Sequence, residues 1–285
     1  MKNIIKKFGM ASITVFLFSL LLAVTAFAKL EPKVDSSNKE KGLLVISITG
    51  TEAEEQIKGN KIAMNIIGPK GGTVEKYGYT IVAESITIPL VYGLGEYTVE
   101  IGQTQANGTR KLIFKEKIKV DKIDEMAMYT ASVLLVNYTA SEKAIKAFKE
   151  ISDKKTKETE KIDSVFYEII NNYSYDNDKA KEISKKPPPV YYPVIDLIYN
   201  AKKGVCFDYA SIFAGAMRNI GIPTRLVMGY SKDIGKGVEY HAWNEIYIDK
   251  KWIPLDLTYD AAVVKAKKKV TMFKDPKLFT IVNIF

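Results

Sequence analysis

From Leu43 to Val120, apolar positions recur in short β-prone runs divided by turn residues: LLVISI (43–48), KIAMNII (61–67), YTIVA (79–83), SITIPL (85–90), EYTVEI (96–101) and KLIFKEKIKV (111–120). Tyr97, Val99 and Ile101 alternate with polar neighbours, and Ile113, Lys115, Lys117 and Lys119 oppose Phe114, Glu116, Ile118 and Val120. The breaks fall at Gly68-Pro69-Lys70-Gly71-Gly72, Gly93-Leu94-Gly95 and Asn107-Gly108. Half a dozen strands in about 80 residues predict a small all-β sandwich over 42–122. After Val120 the period lengthens. Thr139 to Glu142 has the form of a capping box, with Ala144, Ile145, Phe148 and Ile151 at helical spacing behind it. A turn at Asp153-Lys154-Lys155 precedes a second helix, about Lys157 to Asn172, with Ile162, Val165, Phe166, Ile169 and Ile170 on one face. Pro187-Pro188-Pro189 forces an extended loop. A third helix opens near Cys206 with Tyr209, Ile212, Phe213, Ala216 and Ile220 as its apolar face, and Gly221 stops it. Strands follow at 224–230, 241–248 and 251–260, with an edge strand expected from Lys277 to Phe285. Residues 123–285 therefore read as an α+β domain.

Composition narrows the chemistry. The 285 residues include one Cys and one His. That excludes an internal disulfide, a zinc finger and a three-histidine zinc site, so no metal and no cofactor are expected. Asp176-Asn177-Asp178 lacks the glycine and distal Glu of a calcium loop and reads as a solvated turn.

Charge needs one correction. Lys and Arg number 42 against 33 Asp and Glu, a net +9. Residues 1–28 hold three of those lysines and no acid, then run apolar from Ile13 and end in Ala26-Phe27-Ala28. A basic start, a short apolar run and a small-x-small site read as a cleaved secretory signal rather than a retained anchor. The mature chain, at +6, is expected outside the cell or at the envelope, with no membrane span after cleavage. Polar residues 29–41 read as a linker. The surplus lysines are scattered, apart from Lys265 and Lys267–Lys269, and nothing interleaves them with aromatics as a nucleic-acid platform would. A solvated basic face is the plain reading, with attraction to anionic cell-wall components second.

The first turn of a helix favours a thiolate through its free N–H groups and the macrodipole. Cys206 sits there, with Gly204 placed to let a substrate backbone approach and the Cys206 N–H aimed at a developing oxyanion. An imidazole would complete the activated pair, and a carboxylate on its other nitrogen would fix the tautomer. His241 is the sole imidazole, and Asp256 follows 15 residues later. Asp249 and Asp260 also lie near strand ends. Register distinguishes them: if Asp249-Lys250 is a two-residue turn, Trp243 lies opposite Asp256, and His241 and Asp256 become diagonal neighbours on one face, about 7–8 Å apart. A three-residue turn would put them on opposite faces. Trp243 and Trp252 read as core or cleft wall.

GVCFDYA, then HAWNEIYI, then Trp252, Asp256 and Thr258 in W-x-x-x-D-x-T spacing resemble the transglutaminase-like superfamily. The resemblance runs from roughly 155 to 260, because TEKIDSVFYEIINNYSYD also resembles the family's helix and Tyr-Asp motif before the Cys. It implies a papain-like core in which a Cys helix packs on an antiparallel sheet carrying His and Asp. Cys206 then matches the nucleophile, His241 the base and Asp256 the orienting acid. Animal members hold the oxyanion with a Trp upstream of the Cys; here Tyr173 or Tyr175 occupies that region. The resemblance implies acyl transfer on protein or peptide amides through a thioester. The alternatives are a cysteine peptidase of the same fold, or a non-catalytic envelope-binding protein with a dormant triad. YGLGEYTVEI resembles a segment of bacterial surface modules, and the sandwich reads as immunoglobulin-like. Oligomeric state has no signature in the sequence.

Overall fold

A computed structural model describes residues 29–69, 76–185, 190–232 and 237–285. The secretory segment expected at 1–28, the Gly71-Gly72 part of the first turn and the Pro187–Pro189 loop lie outside the described residues.

The described residues begin with β1 (Glu31–Asp35), β2 (Leu43–Thr49), α1 (Ala53–Lys58), β3 (Ile62–Ile67), β4 (Lys76–Thr80), β5 (Ser85–Pro89), β6 (Gly95–Thr104) and β7 (Arg110–Val120). These strands form two antiparallel sheets, ordered β1-β2-β5 and β4-β3-β6-β7. Alternation decides what they bury: Leu44, Ile46 and Ile48 from β2 share a core with Met64, Ile66, Val99 and Ile101 from the other sheet. Tyr97 is fully buried, and its hydroxyl donates to Gly93 O at 2.8 Å and accepts Tyr92 N–H at 3.0 Å. A hydroxyl tied to backbone just upstream is the tyrosine-corner arrangement of β-sandwiches. The stretch 29–41 is no free linker: Glu31–Asp35 pairs along its length with Val45–Thr49. Its alternation carries only Val34 as an apolar residue, and backbone pairing to β2 supplies the order that the side chains do not.

The second part adds α2 (Glu125–Met128), α3 (Glu142–Ser152), α4 (Glu158–Asn172), β8 (Ser174–Tyr175), α5 (Asn177–Ile183), α6 (Ile195–Ala201), β9 (Lys203–Gly204), α7 (Cys206–Asn219), β10 (Thr224–Ser231), β11 (Glu239–Ile248), β12 (Lys251–Leu255), α8 (Leu257–Lys265) and β13 (Phe279–Ile284). Its main sheet is antiparallel in the order β12-β11-β10-β13, so β13 is the expected edge strand. Helix α7 is buried from Asp208 to Arg218, the mark of a central helix. Its Tyr209, Ile212 and Phe213 join Ile162, Val165, Phe166 and Ile169 of α4 and Ile246 and Leu255 of the sheet in one core. Gly221 takes φ +82° and closes the helix. Asn244 of β11 donates to Ala210 O at 2.9 Å, tying sheet to helix.

Two expected details differ. Helix α3 has no capping box: Thr139 lies outside it, and Asp196 of α6 accepts from Ala144 N at 2.8 Å instead. Strand β12 ends at Leu255 rather than 260, because the Asp256 side chain accepts Tyr259 N–H at 3.0 Å and starts α8.

The two parts are not beads on a string. Their cores are continuous, since Val133, Leu135, Ala214, Leu226 and Phe285 belong to the same cluster as the first sheets. Phe285 is buried edge-on against Tyr77, with ring centroids 4.7 Å apart. Burying such a ring stabilises the joint by roughly 1.5–3 kcal/mol. Behind it, the buried Arg218 donates to the carbonyls of Ala131 at 3.0 Å, Thr224 at 2.8 Å and Phe285 at 2.6 Å.

Candidate active site

The turn between β11 and β12 decides the site's register. Asp249 and Lys250 adopt φ +50° and +62°, and Ile248 pairs with Lys251. Two consecutive left-handed residues make a two-residue hairpin turn whose twist suits the strands. Pairing proceeds to Asn244 opposite Leu255, which sets Trp243 level with Asp256. His241 then reaches Asp256, its Nε2 lying 2.8 Å from Oδ2. The second carboxylate oxygen is spent on the α8 cap, so Asp256 is fixed at both oxygens and fully buried.

Cys206 is the first residue of α7 and is partly exposed. Its thiol lies near enough to the His241 imidazole to act on that group's protonation. With Nε2 taken by Asp256, Nδ1 is the nitrogen left for sulfur. Burial by itself would push the imidazole's pKa down. The Asp256 charge and hydrogen bond, together with the influence of nearby Cys206, outweigh it and raise the value from 6.5 to about 10. The buried ring therefore favours the imidazolium form, the partner that stabilises a thiolate. As a first-turn donor, the Cys206 N–H has no partner within its own helix and is available to an oxyanion.

The two tyrosines named from sequence separate here. Tyr173 is buried, and its hydroxyl receives Lys202 Nζ at 3.2 Å on the side of Tyr199 and Glu168. Tyr175 is 40% exposed; burial and then the nearby Cys206 charge raise its pKa. It stays a protonated donor beside the thiol. Tyr240, 56% exposed, also feels Cys206 and forms an edge-on pair with Tyr230 at 5.5 Å.

Neither cleft-wall candidate lines a cleft. Trp243 is buried, its ring 4.7 Å from that of Phe279. Gly204 is also buried, and a Cβ there would stand 2.6 Å from Asp208 Cβ. The glycine makes room for an acid of its own chain rather than for substrate. Asp208, absent from the sequence-based candidates, is fully buried two residues after Cys206. Its Oδ2 accepts Val205 N–H at 2.8 Å and Lys179 Nζ at 2.8 Å, and its Oδ1 accepts the Tyr191 hydroxyl. An acid at the third position of a helix is a readable sign of N-terminal capping. Lys179 and Tyr191 carry no such sign. Asp176 caps α5 through Lys179 N–H at 3.0 Å and pairs with Lys203 at 3.1 Å, so this acid has a structural role at a helix start. Among the described residues, no group of three or more His, Cys, Asp or Glu could hold a metal ion.

This helix-and-sheet segment also matches a known family: the transglutaminase-like superfamily model covers residues 145–257. Those residues are a transglutaminase-like domain. Mouse and human kyphoscoliosis peptidase are each 29% identical to the chain over 112 residues, which is 37% of this chain and 16% of theirs. The chain thus spans about a sixth of the length of those curated relatives. A solved structure of a candidate cysteine protease from Cytophaga hutchinsonii aligns at a TM-score of 0.40 and 17% identity, over 70% of this chain and 72% of its own. Cys206, His241 and Asp256 all lie inside the transglutaminase-like segment.

Proposed function

We propose that this chain is an exported thiol enzyme that transfers acyl groups from protein or peptide amides through a thioester on Cys206. One observation carries the reading: the sole imidazole is held by a buried carboxylate, with His241 Nε2 2.8 Å from Asp256 Oδ2, and lies near enough to the sole thiol to feel its charge. The Cys206 thiolate attacks the amide carbonyl carbon, and negative charge moves to the carbonyl oxygen. The Cys206 N–H and the Tyr175 hydroxyl are the donors for that oxyanion. As the tetrahedral species collapses, the C–N bond breaks and imidazolium His241 gives its proton to the departing amine. An incoming amine or water then adds to the thioester, His241 takes its proton, and the C–S bond breaks to free the thiolate beside the imidazolium. No cofactor enters either half. Amine acceptance yields cross-linking or transamidation; water yields deamidation or cleavage. The peptidase reading has separate support, since the matched mammalian relatives are named peptidases. Export rests on the basic-then-apolar stretch 1–28.

The test is mass spectrometry of a peptide mixture containing Gln and Lys, incubated with wild type and Cys206→Ala. Isopeptide formation or deamidation in wild type alone supports acyl transfer, and backbone cleavage in wild type alone supports the peptidase. Equal products from both proteins would sink the enzymatic reading.

A further inference from the structure

The start of α7 is fastened from outside in a way that capping does not require. A cap for this helix needs one acceptor for Val205 N–H, and Asp208 Oδ2 provides it at 2.8 Å. The carboxylate nevertheless takes two more donors, both from other elements: Lys179 of α5 at 2.8 Å and the Tyr191 hydroxyl. Lys179 also lies 5.0 Å from the Tyr191 ring centroid, which draws the two donors together. The next residue, Tyr192, turns the other way. Its hydroxyl accepts Thr80 N–H at 2.8 Å and lies 3.1 Å from Thr80 O, at the end of β4 in the first part of the chain. Adjacent tyrosines thus bridge the first sheets to the residue before the thiol. One residue before Val205, β8 and β9 pair Tyr175 with Gly204, and Asp176 N–H donates to Gly204 O at 2.9 Å. Every backbone unit leading into Cys206 is therefore pinned.

We infer that Asp208 is a positioning residue for Cys206, held by Lys179 and Tyr191, and that the first sheets take part in that positioning through Tyr192. The inference rests on reading Cys206 as the nucleophile. A thiol must sit within a few tenths of an ångström of its working geometry against His241, and a displacement of about 1 Å can cost on the order of a hundredfold in rate. The first module is then part of the catalytic apparatus and not a spacer.

The experiment measures iodoacetamide alkylation of Cys206, the chain's single thiol, by mass spectrometry in the full chain across a pH series. Variants are Tyr191→Phe, Tyr192→Phe and Asp208→Asn, with His241→Ala for reference. Tyr191→Phe keeps every charge and removes one hydroxyl; its rate is expected to fall about five- to tenfold with an altered pH profile, while the thermal midpoint stays near that of wild type. Tyr192→Phe should move the rate in the same direction by a smaller factor. Asp208→Asn separates causes by sign. A carboxylate acting only through its charge would, once neutralised, leave the thiolate easier to form and speed alkylation. Loss of positioning slows it, by about tenfold or more. Should Asp208→Asn not fold, the two tyrosine variants decide alone. If both tyrosine variants match wild type in rate and pH profile while wild type far outpaces His241→Ala, the positioning inference fails and the acyl-transfer reading stands. Wild type reacting no faster than His241→Ala would remove the reading itself.

Discussion

Asp256→Asn distinguishes orientation from stability at one position. The two carboxylate oxygens have separate partners, since Oδ1 accepts Tyr259 N–H at 3.0 Å and Oδ2 faces His241 Nε2 at 2.8 Å. Asn has a single carbonyl oxygen. Placed on Tyr259 N–H, it keeps the α8 cap, where Asn and Asp serve about equally well. Its amide NH2 must then face Nε2 as a donor. The imidazole can meet it only with Nε2 unprotonated, so its proton moves to Nδ1, facing the thiol. That tautomer cannot take a proton from Cys206. The hydrogen bond is exchanged rather than orphaned, so stability should fall by the difference between a charge-assisted and a neutral bond, about 1–2 kcal/mol. Reactivity should fall far more, by about a thousandfold or beyond, as a wrong tautomer does in hydrolase triads. Asp256→Ala removes both bonds and should cost about 2–5 kcal/mol, from a lost cap and an unpaired buried ring nitrogen. The assay pairs urea unfolding with iodoacetamide alkylation of Cys206. An Asp256→Asn protein that alkylates at the wild-type rate would refute the reasoning, as would one that unfolds as readily as Asp256→Ala.

The raised pKa of His241, from 6.5 to about 10, gives a pH dependence of known sign. Its stabilisation is fully present below about pH 6.5 and is lost as pH rises through about 10, so the unfolding midpoint should drop across that window in wild type and stay flatter in His241→Ala. Gly204→Ala would set a Cβ 2.9 Å from Asp208 Oδ2; we expect a loss of about 1–3 kcal/mol by urea unfolding together with slower alkylation of Cys206. Arg218→Met strips the guanidinium from three carbonyl oxygens in the shared core, and should destabilise by about 3–5 kcal/mol in the same titration.

Local chemistry made the central hairpin readable. Asp249-Lys250 marks a tight turn, pairing His241 with Asp256 requires that turn to have two residues, and the structure has it. The Cys helix was equally legible, because Gly221 closes it and its apolar face repeats at helical spacing. Features set by distant partners were not. Strand β1 exists through its pairing with β2, which no pattern within residues 31–35 announces. The α3 cap comes from Asp196, more than fifty residues along the chain. Thr258 and Tyr259 favour strand by composition, yet one hydrogen bond from Tyr259 N–H to the Asp256 carboxylate turns the chain into α8. Within the site, Cys206, His241 and Asp256 follow from spacing and motif. Tyr191 and Lys179 do not, since their role depends on a buried carboxylate that only the folded chain assembles.

The claim that Cys206 attacks carbonyl carbon with help from His241 is tested most directly by mixing the protein with an activated acyl ester, such as p-nitrophenyl acetate. Released p-nitrophenol is followed in the first turnover, and the quenched protein is weighed intact by mass spectrometry. The account predicts a burst of about one equivalent with acetyl carried on Cys206, no burst in Cys206→Ala, and a burst slowed at least a hundredfold in His241→Ala. A wild type that shows no acyl adduct, or one that Cys206→Ala forms equally well, would contradict it.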